Sequence, residues 1–213
     1  MEKTVLCFGD SNTWGYNPVN GGRYARDVRW TGRMAGLLGS GYHVVEEGLN
    51  GRTTAFDDPI EPFRNGRKAL DVCLLSHSPI DLFIVMLGTN DTKKFHHLTP
   101  FMITKGLESI VAEAGQASYG RDGYSPKVLV VSPIAISPQS FDDGMREYFD
   151  ESSAEKAAAL SIRYSQAAEQ YGCGFLDAAK YARPSARDGI HMEPEQHAAL
   201  AAAFAESVKV ITG

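Results

Sequence analysis

The sequence predicts an α/β fold, a three-layer α/β/α sandwich built on a five-stranded parallel sheet of order 2-1-3-4-5. Short apolar runs alternate along the chain with stretches of helical periodicity, which is the pattern of βαβ units. The runs are apolar at nearly every position, as in strands that are covered on both faces. The chain has 213 residues, so we expect residues 1–213 to form a single domain.

The five apolar runs are the expected strands, and they comprise residues 4–8, 42–46, 82–87, 127–132 and 174–176. In the order 2-1-3-4-5 the first and third strands flank the switch point of the sheet. Ligands of such folds bind at the C-terminal ends of the strands beside that point.

The expected helices are amphipathic stretches between and after these strands, at residues 30–38, 68–76, 99–117, 152–171 and 194–211. Ser152 and Glu155 have the spacing of a capping box, and Pro194 stands in the first turn of the last helix.

Long connections follow three strand ends, at residues 16–28, 53–67 and 133–150, so we expect them to gather on the ligand-binding face. Residues 133–138 are apolar for a loop. They are interpreted as a pocket wall or as a surface that another subunit buries.

The composition is that of a globular protein, with 43% hydrophobic and 22% charged residues. A net charge of −5 without a dense basic patch disfavours nucleic acid as a partner. No apolar run approaches the roughly 18 residues of a membrane span, and because the first strand is expected so early, we expect no signal peptide. Cys7, Cys73 and Cys173 form no close pair and are interpreted as buried, reduced thiols, so a cytoplasmic location is predicted.

No metal site and no cofactor are predicted, because His, Cys and carboxylates do not recur at zinc spacing.

Residues that suit acyl transfer follow the strand ends. This reaction needs a nucleophile, a base, a group that orients the base, and donors for the oxyanion. Ser11 can be the nucleophile, His191 the base and Asp188 the partner of its second ring nitrogen. The backbone N–H groups of Ser11 and Gly51 and the side-chain amide of Asn90 can be the donors.

Each of these residues has an ordinary interpretation when it is taken alone. Ser11 can be a helix N-cap and Gly51 a turn glycine, and Asn90 can belong to a simple turn. Asp188 and His191 can lie in a surface turn. The functional hypothesis therefore rests on the combination of the motifs, which fall in order at the expected ligand face.

These motif blocks resemble those of the SGNH hydrolases, also called GDSL esterases and lipases. The matching blocks are Gly9-Asp10-Ser11, the second strand end with Gly51, Gly88-Thr89-Asn90-Asp91, and Asp188 with His191. The resemblance implies a flavodoxin-like SGNH hydrolase fold. It also implies Ser11, Asp188 and His191 as catalytic triad, and Ser11, Gly51 and Asn90 as oxyanion hole.

Within that superfamily, the sequence most resembles the bacterial arylesterase/acyltransferase branch. The resemblance lies in residues 7–15, 28–32, 46–49, 52–54 and 91–93. This resemblance implies a small-molecule ester as substrate, with acetyl to butyryl acyl groups, aryl esters included, and an acyl-enzyme intermediate. It also implies acyl transfer to alcohols or peroxide, and a homo-oligomer that is a dimer or larger, up to an octamer.

Four further residues are candidates for the substrate pocket. Asn12 follows the nucleophile, in a position where the family signature usually has leucine. Trp14 is close enough to narrow the acyl side, although a core tryptophan is an equal alternative. Ile190 and Met192 flank the expected base.

Two rival functions stay open from the sequence. One is a carbohydrate deacetylase that acts on acetylated sugars or xylan. The other is a non-catalytic, flavodoxin-like protein whose turn at Ser11 cradles a phosphate or flavin. The pair Asp188 and His191 separates them, because a phosphate cradle does not require it.

Overall fold

Five strands form one parallel sheet in the computed structural model, which describes residues 1–213. They are β1 (Lys3–Gly9), β2 (Tyr42–Gly48), β3 (Leu82–Met86), β4 (Lys127–Ser132) and β5 (Gly174–Asp177). The order is β2-β1-β3-β4-β5, and every neighbouring pair is parallel. The predicted fold class and strand order are confirmed, and β1 and β3 flank the switch point.

Seven α-helices surround the sheet. They are α1 (Ser11–Trp14), α2 (Trp30–Leu38), α3 (Gly66–His77), α4 (Pro100–Ala114), α5 (Asp143–Tyr148), α6 (Glu151–Gln170) and α7 (Pro194–Thr212). None of them combines the length and the apolar character that crossing a membrane requires.

Two hydrophobic cores lie on opposite faces of the sheet, because successive side chains of a strand alternate between the faces. Val5 and Cys7 of β1 point into the core beneath α2 and α7. Leu6 and Phe8 point into the core beneath α3, α4 and α6. Burial of each large apolar side chain contributes about 1.5–3 kcal/mol, and together the two cores hold the C-terminal edge of the sheet in place.

The start of α6 differs from the prediction. Asp150 is the N-cap, and its carboxylate accepts the Ser153 N–H while the Asp150 N–H donates to Ser153 Oγ. Ser152 and Glu155 do not form the capping box, because the helix begins one residue earlier than expected. The short helix α5 lies in a connection that the sequence presented only as a long loop.

The apolar loop 133–138 is buried by its own chain. Ile134 is 2% exposed and belongs to the core beneath α2 and α7, whereas Ile136 packs with Phe141 and Phe149 in a smaller cluster. Burial inside the chain accounts for the apolar residues, so this loop does not argue for a subunit contact. Self-association stays a prediction, and light scattering coupled to size exclusion tests it.

The three cysteines are free thiols. Cys7 is buried, as predicted, whereas Cys73 and Cys173 are only partly buried.

Candidate active site

Ser11 begins α1 directly beyond the C-terminal end of β1. Asp10 is the N-cap of this helix, and its carboxylate accepts the Asn12 N–H at 3.0 Å. The turn is tight at Gly9, since an added Cβ there would lie 2.0 Å from Thr13 Oγ1 and 3.0 Å from the Met86 carbonyl oxygen. Glycine at this point therefore lets β1 turn sharply and place Ser11 at the switch point of the sheet.

A chain of hydrogen bonds links Ser11 to the C-terminal part of the protein. Ser11 Oγ lies 2.9 Å from His191 Nε2, and His191 Nδ1 lies 2.7 Å from Asp188 Oδ2. The other carboxylate oxygen, Asp188 Oδ1, accepts the N–H groups of Ile190 and His191 at 3.0 Å each. The structure therefore brings the three predicted residues Ser11, Asp188 and His191 into hydrogen-bond contact.

The environment of Asp188 keeps its carboxylate ionised. Burial alone would raise the pKa of Asp188, but the hydrogen bonds and positive charge supplied by His191 outweigh burial and lower it. A carboxylate in this position holds one tautomer of the imidazole and orients its ring.

Contacts from two other segments hold the loop that carries His191. The Ser137 N–H donates to the Gly189 carbonyl at 2.9 Å, and Asn12 Nδ2 donates to the Ile190 carbonyl at 3.2 Å. Asn12 is thus a support of the loop beside the base.

Three hydrogen-bond donors line the cavity next to Ser11. They are the predicted residues Ser11, Gly51 and Asn90. As the first residue of α1, Ser11 has no intrahelical acceptor for its N–H. The Gly51 N–H makes no hydrogen bond to another backbone group. Asn90 Nδ2 gives one of its two protons to the Arg52 carbonyl at 3.1 Å, which leaves the second proton for a ligand.

The cavity has a volume of about 190 Å³ and a mixed lining. Its less polar residues are Met145, Tyr148, Phe149 and Ile190. Its polar residues include Asn50, Glu61 and Lys93, and Lys93 Nζ lies 5.3 Å from the centre of the Tyr148 ring, while Tyr16 lies against His191. The cavity therefore offers both apolar and polar side chains to one ligand.

Of the four predicted pocket residues, only Ile190 lines this cavity. The structure does not place Asn12, Trp14 and Met192 on the cavity lining. Asn12 is buried and bonded to the Ile190 carbonyl, and Met192 is fully buried in the core beneath α2 and α7. The Trp14 ring lies 5.2 Å from the guanidinium carbon of Arg23, so it packs on the connection after α1.

The sequence did not single out most of the residues that form the cavity walls. Asn50 and Lys93 stand beside recognised motif residues, and the others belong to the three long connections that were expected on this face. These others are Tyr16, Glu61, Met145, Tyr148 and Phe149. The sequence indicates only which loops lie on this face of the sheet, because no periodic pattern identifies the loop residues that face the cavity.

A buried carboxylate joins two of the motif segments beneath the site. Asp91, which is fully buried, accepts the Thr54 N–H at 3.0 Å and also the Thr54 hydroxyl. Burial raises the pKa of Asp91 to about 6, and it raises the pKa of Asp10 to about 6 as well. No group of three or more His, Cys, Asp or Glu side chains is arranged to hold a metal ion.

Known proteins with similar sequences and structures share this architecture. The sequence model of the GDSL-like lipase/acylhydrolase family matches residues 7–199. A carbohydrate acetylesterase from Sinorhizobium meliloti is 41% identical, and the alignment covers 99% of this chain and 100% of that one with a TM-score of 0.93. The native aryl esterase from M. smegmatis is also 41% identical, with coverage of 98% and 99% and a TM-score of 0.92.

A more distant similarity connects the chain to a larger protein. An acetylxylan esterase from Xylanibacter ruminicola is 25% identical over 185 residues, which are 81% of this chain and 35% of that protein. The chain thus spans about a third of the length of this curated relative.

Proposed function

The chain belongs to the GDSL-like lipase/acylhydrolase family and is a carboxylic ester hydrolase, and from this membership we propose that it is a serine esterase for short-chain esters. The proposed acyl groups range from acetyl to butyryl, with aryl esters among the substrates. The observation that carries the proposal is the hydrogen-bonded chain from Ser11 Oγ through His191 to Asp188.

Ser11 is the proposed nucleophile and His191 the proposed general base. His191 Nε2 takes the Ser11 proton as Oγ attacks the ester carbonyl, and it then gives this proton to the departing alcohol oxygen. Asp188, held ionised by its hydrogen bonds, stabilises the imidazolium that forms between these steps. The products of this half-reaction are an alcohol and an acyl group bound to Ser11 Oγ.

The anion that forms on the carbonyl oxygen is assigned to three donors: the N–H groups of Ser11 and Gly51 and the free amide proton of Asn90. All three residues line the same cavity, and Asn90 is fixed by its bond to the Arg52 carbonyl. Donors held in place before the reaction stabilise the developing charge, and the loss of one costs about 3 kcal/mol.

In the second half-reaction a water molecule, activated by His191, releases the acyl group. An alcohol or peroxide that enters instead of water would give acyl transfer or perhydrolysis by the same steps. The small cavity supports short acyl groups, because about 190 Å³ is below the roughly 300–1,000 Å³ of pockets for drug-sized ligands.

The two most informative relatives differ in the alcohol part of their substrates. One is named an aryl esterase and the other a carbohydrate acetylesterase, and both are 41% identical to this chain. These similarities support an esterase with either kind of leaving group.

The rival phosphate-binding function is disfavoured by the start of α1. The Asp10 carboxylate already accepts the Asn12 N–H there, and its negative charge would repel a phosphate. The helix also has only four residues, which limits its dipole.

The decisive experiment is hydrolysis of p-nitrophenyl acetate by the wild type and by Ser11→Ala. We expect kcat to fall by at least about 10³-fold in the variant, because no other hydroxyl contacts His191 Nε2. Ser118→Ala, which changes an exposed serine far from the site, is the matched control and should retain full activity. Equal rates in Ser11→Ala and wild type would reject the proposed nucleophile.

A further inference from the structure

We propose that Asn50 and Glu61 select esters whose leaving group is a polyhydroxylated alcohol, such as a partly acetylated sugar. The inference rests on the proposed esterase function and goes beyond it, because it assigns the choice of leaving group to two side chains. Both residues line the cavity that contains Ser11.

Both side chains lie beside the proposed oxyanion hole. Asn50 directly precedes Gly51, and Glu61 Oε2 would lie 2.8 Å from a Cβ added at Gly51. An ester bound with its carbonyl oxygen near Gly51 therefore has Asn50 and Glu61 within reach. Phe149 and Ile190 in the same lining suit the acyl chain, so we assign Asn50 and Glu61 to the alcohol part.

Asn50 and Glu61 both offer hydrogen-bond acceptors to a ligand. Asn50 Oδ1 is buried and has no hydrogen-bond partner in the chain, and a buried acceptor normally has a donor. The Glu61 side chain is 37% exposed; its Oε1 accepts a long hydrogen bond of 3.5 Å from Arg64 Nη2, and its Oε2 has Lys93 Nζ at 3.6 Å. Each carboxylate oxygen has two acceptor sites, so both can accept a further, shorter bond from a substrate hydroxyl.

Glu61 is held at this place by a buried ion pair. Asp58 Oδ1 accepts the N–H groups of Ile60 and Glu61 at 2.9 and 3.0 Å, and Asp58 Oδ2 lies 2.9 Å from Lys93 Nζ. The side chains of Asp58 and Lys93 are 0% and 4% exposed. The turn that presents Glu61 is therefore anchored to the segment that carries Asn90, which fixes the backbone from which the carboxylate extends.

The charges around Glu61 indicate a neutral ligand. Lys93 and Arg64 flank the carboxylate, so a cationic leaving group would meet two positive charges. An aryl leaving group offers no proton to Asn50 Oδ1 or to Glu61. A carboxylate beside the oxyanion hole also opposes the negative charge of the transition state. The neutral hydroxyl groups of a sugar satisfy both acceptors and repel neither cation.

The test uses three substrates: 6-O-acetylglucose, glucose pentaacetate and p-nitrophenyl acetate. All three are assayed with the same preparation of each variant. The readout is kcat/KM for each sugar ester divided by kcat/KM for the aryl ester, and this ratio does not depend on how much of a variant is folded. We expect Asn50→Ala and Glu61→Ala each to lower the ratio for 6-O-acetylglucose about tenfold, because each loses a hydrogen bond to a hydroxyl. The ratio for glucose pentaacetate, which has no hydroxyl donor, should stay constant.

Asp57→Asn is the matched control, since it removes a carboxylate from the same connection at a residue outside the cavity lining. It should leave both ratios unchanged. The inference is overturned if neither Asn50→Ala nor Glu61→Ala changes the ratio for 6-O-acetylglucose, or if the ratio changes only through the aryl ester. Activity of Ser11→Ala on p-nitrophenyl acetate would instead reject the proposed function, so the two failures are distinct.

Discussion

The phenol ring of Tyr16 is stacked on the imidazole of His191, with ring centroids 4.0 Å apart and planes inclined by 30°. The imidazole is thus held from two sides, by the Asp188 carboxylate at its edge and by an aromatic ring on its face. Tyr16 also lines the cavity, so it shields one face of the proposed base from water.

This stacking predicts that Tyr16→Ala lowers kcat for p-nitrophenyl acetate about tenfold, since an aromatic pair is worth roughly 0.5–1.5 kcal/mol and its loss lets the imidazole turn. Tyr16→Phe keeps the ring and should keep most of the activity. Steady-state kinetics of both variants check this. An equal loss in Tyr16→Phe would mean that the hydroxyl, not the ring, is what matters.

The Asp188 carboxylate predicts a second kinetic effect. Asp188→Asn should lower kcat by about 10³–10⁴-fold with a much smaller change in KM, because the amide no longer favours the required tautomer or the imidazolium. Glu195→Gln, at an exposed residue near the start of α7, is the control for loss of one negative charge. A variant Asp188→Asn with wild-type kcat would show that the 2.7 Å contact is only structural.

The sheet and the reactive residues could be predicted from the sequence for the same reason. Strands buried on both faces are apolar throughout, and in a parallel sheet their C-terminal ends meet at one edge. Ser11, Gly51 and Asn90 follow the ends of β1, β2 and β3, so strand order alone brings them together. The prediction of the sheet and of these residues therefore follows mostly from the backbone topology.

The cavity walls could not be predicted in this way. Glu61 faces Gly51 because Asp58 caps its turn and pairs with Lys93, and that pair joins two loops whose sequences show no periodicity. The expectation for Trp14 rests on its closeness in sequence to Ser11. The helical turn directs Trp14 toward Arg23, and the chain then brings Tyr16 back over His191.

The loop that carries His191 depends on a glycine. Gly189 has φ of +73°, and a Cβ there would lie 2.3 Å from the Ser137 carbonyl oxygen and 2.9 Å from Phe141 Cδ1. We expect Gly189→Ala to lower the free energy of unfolding by about 2–3 kcal/mol, from backbone strain together with displacement of the Ser137 segment. Because Asp188 and His191 adjoin it, kcat should fall as well.

Gly172→Ala provides a matched control for this prediction. Gly172 also has a positive φ, +64°, but nothing lies within 4 Å of the position of its added Cβ. This variant should lose only about 1 kcal/mol, the cost of the backbone conformation, and should keep its kcat. Urea unfolding and p-nitrophenyl acetate assays measure both quantities. Equal losses of stability in the two variants would contradict the role given to the Ser137 contact.

The buried Asp91 predicts how stability depends on pH. Burial raises its pKa from an ordinary 3.8 to about 6, so the native protein keeps this proton to a higher pH than the unfolded chain does. Between these two values the native state binds more protons, and the free energy of unfolding therefore decreases as the pH rises. Asp10, with a pKa also raised to about 6, acts in the same direction.

Asp91→Asn removes one of these two contributions while keeping an oxygen that accepts the Thr54 N–H. Its free energy of unfolding, relative to that of the wild type, should increase by on the order of 3 kcal/mol between pH 4 and pH 7. Urea unfolding at several pH values measures this difference, and Asp71→Asn, at an exposed residue of α3, should follow the wild type at every pH. If the curves of Asp91→Asn and wild type stayed parallel, the Asp91 carboxyl would have to titrate in the native protein as it does in the unfolded chain. Its complete burial against Thr54 would then carry no penalty for the charged form.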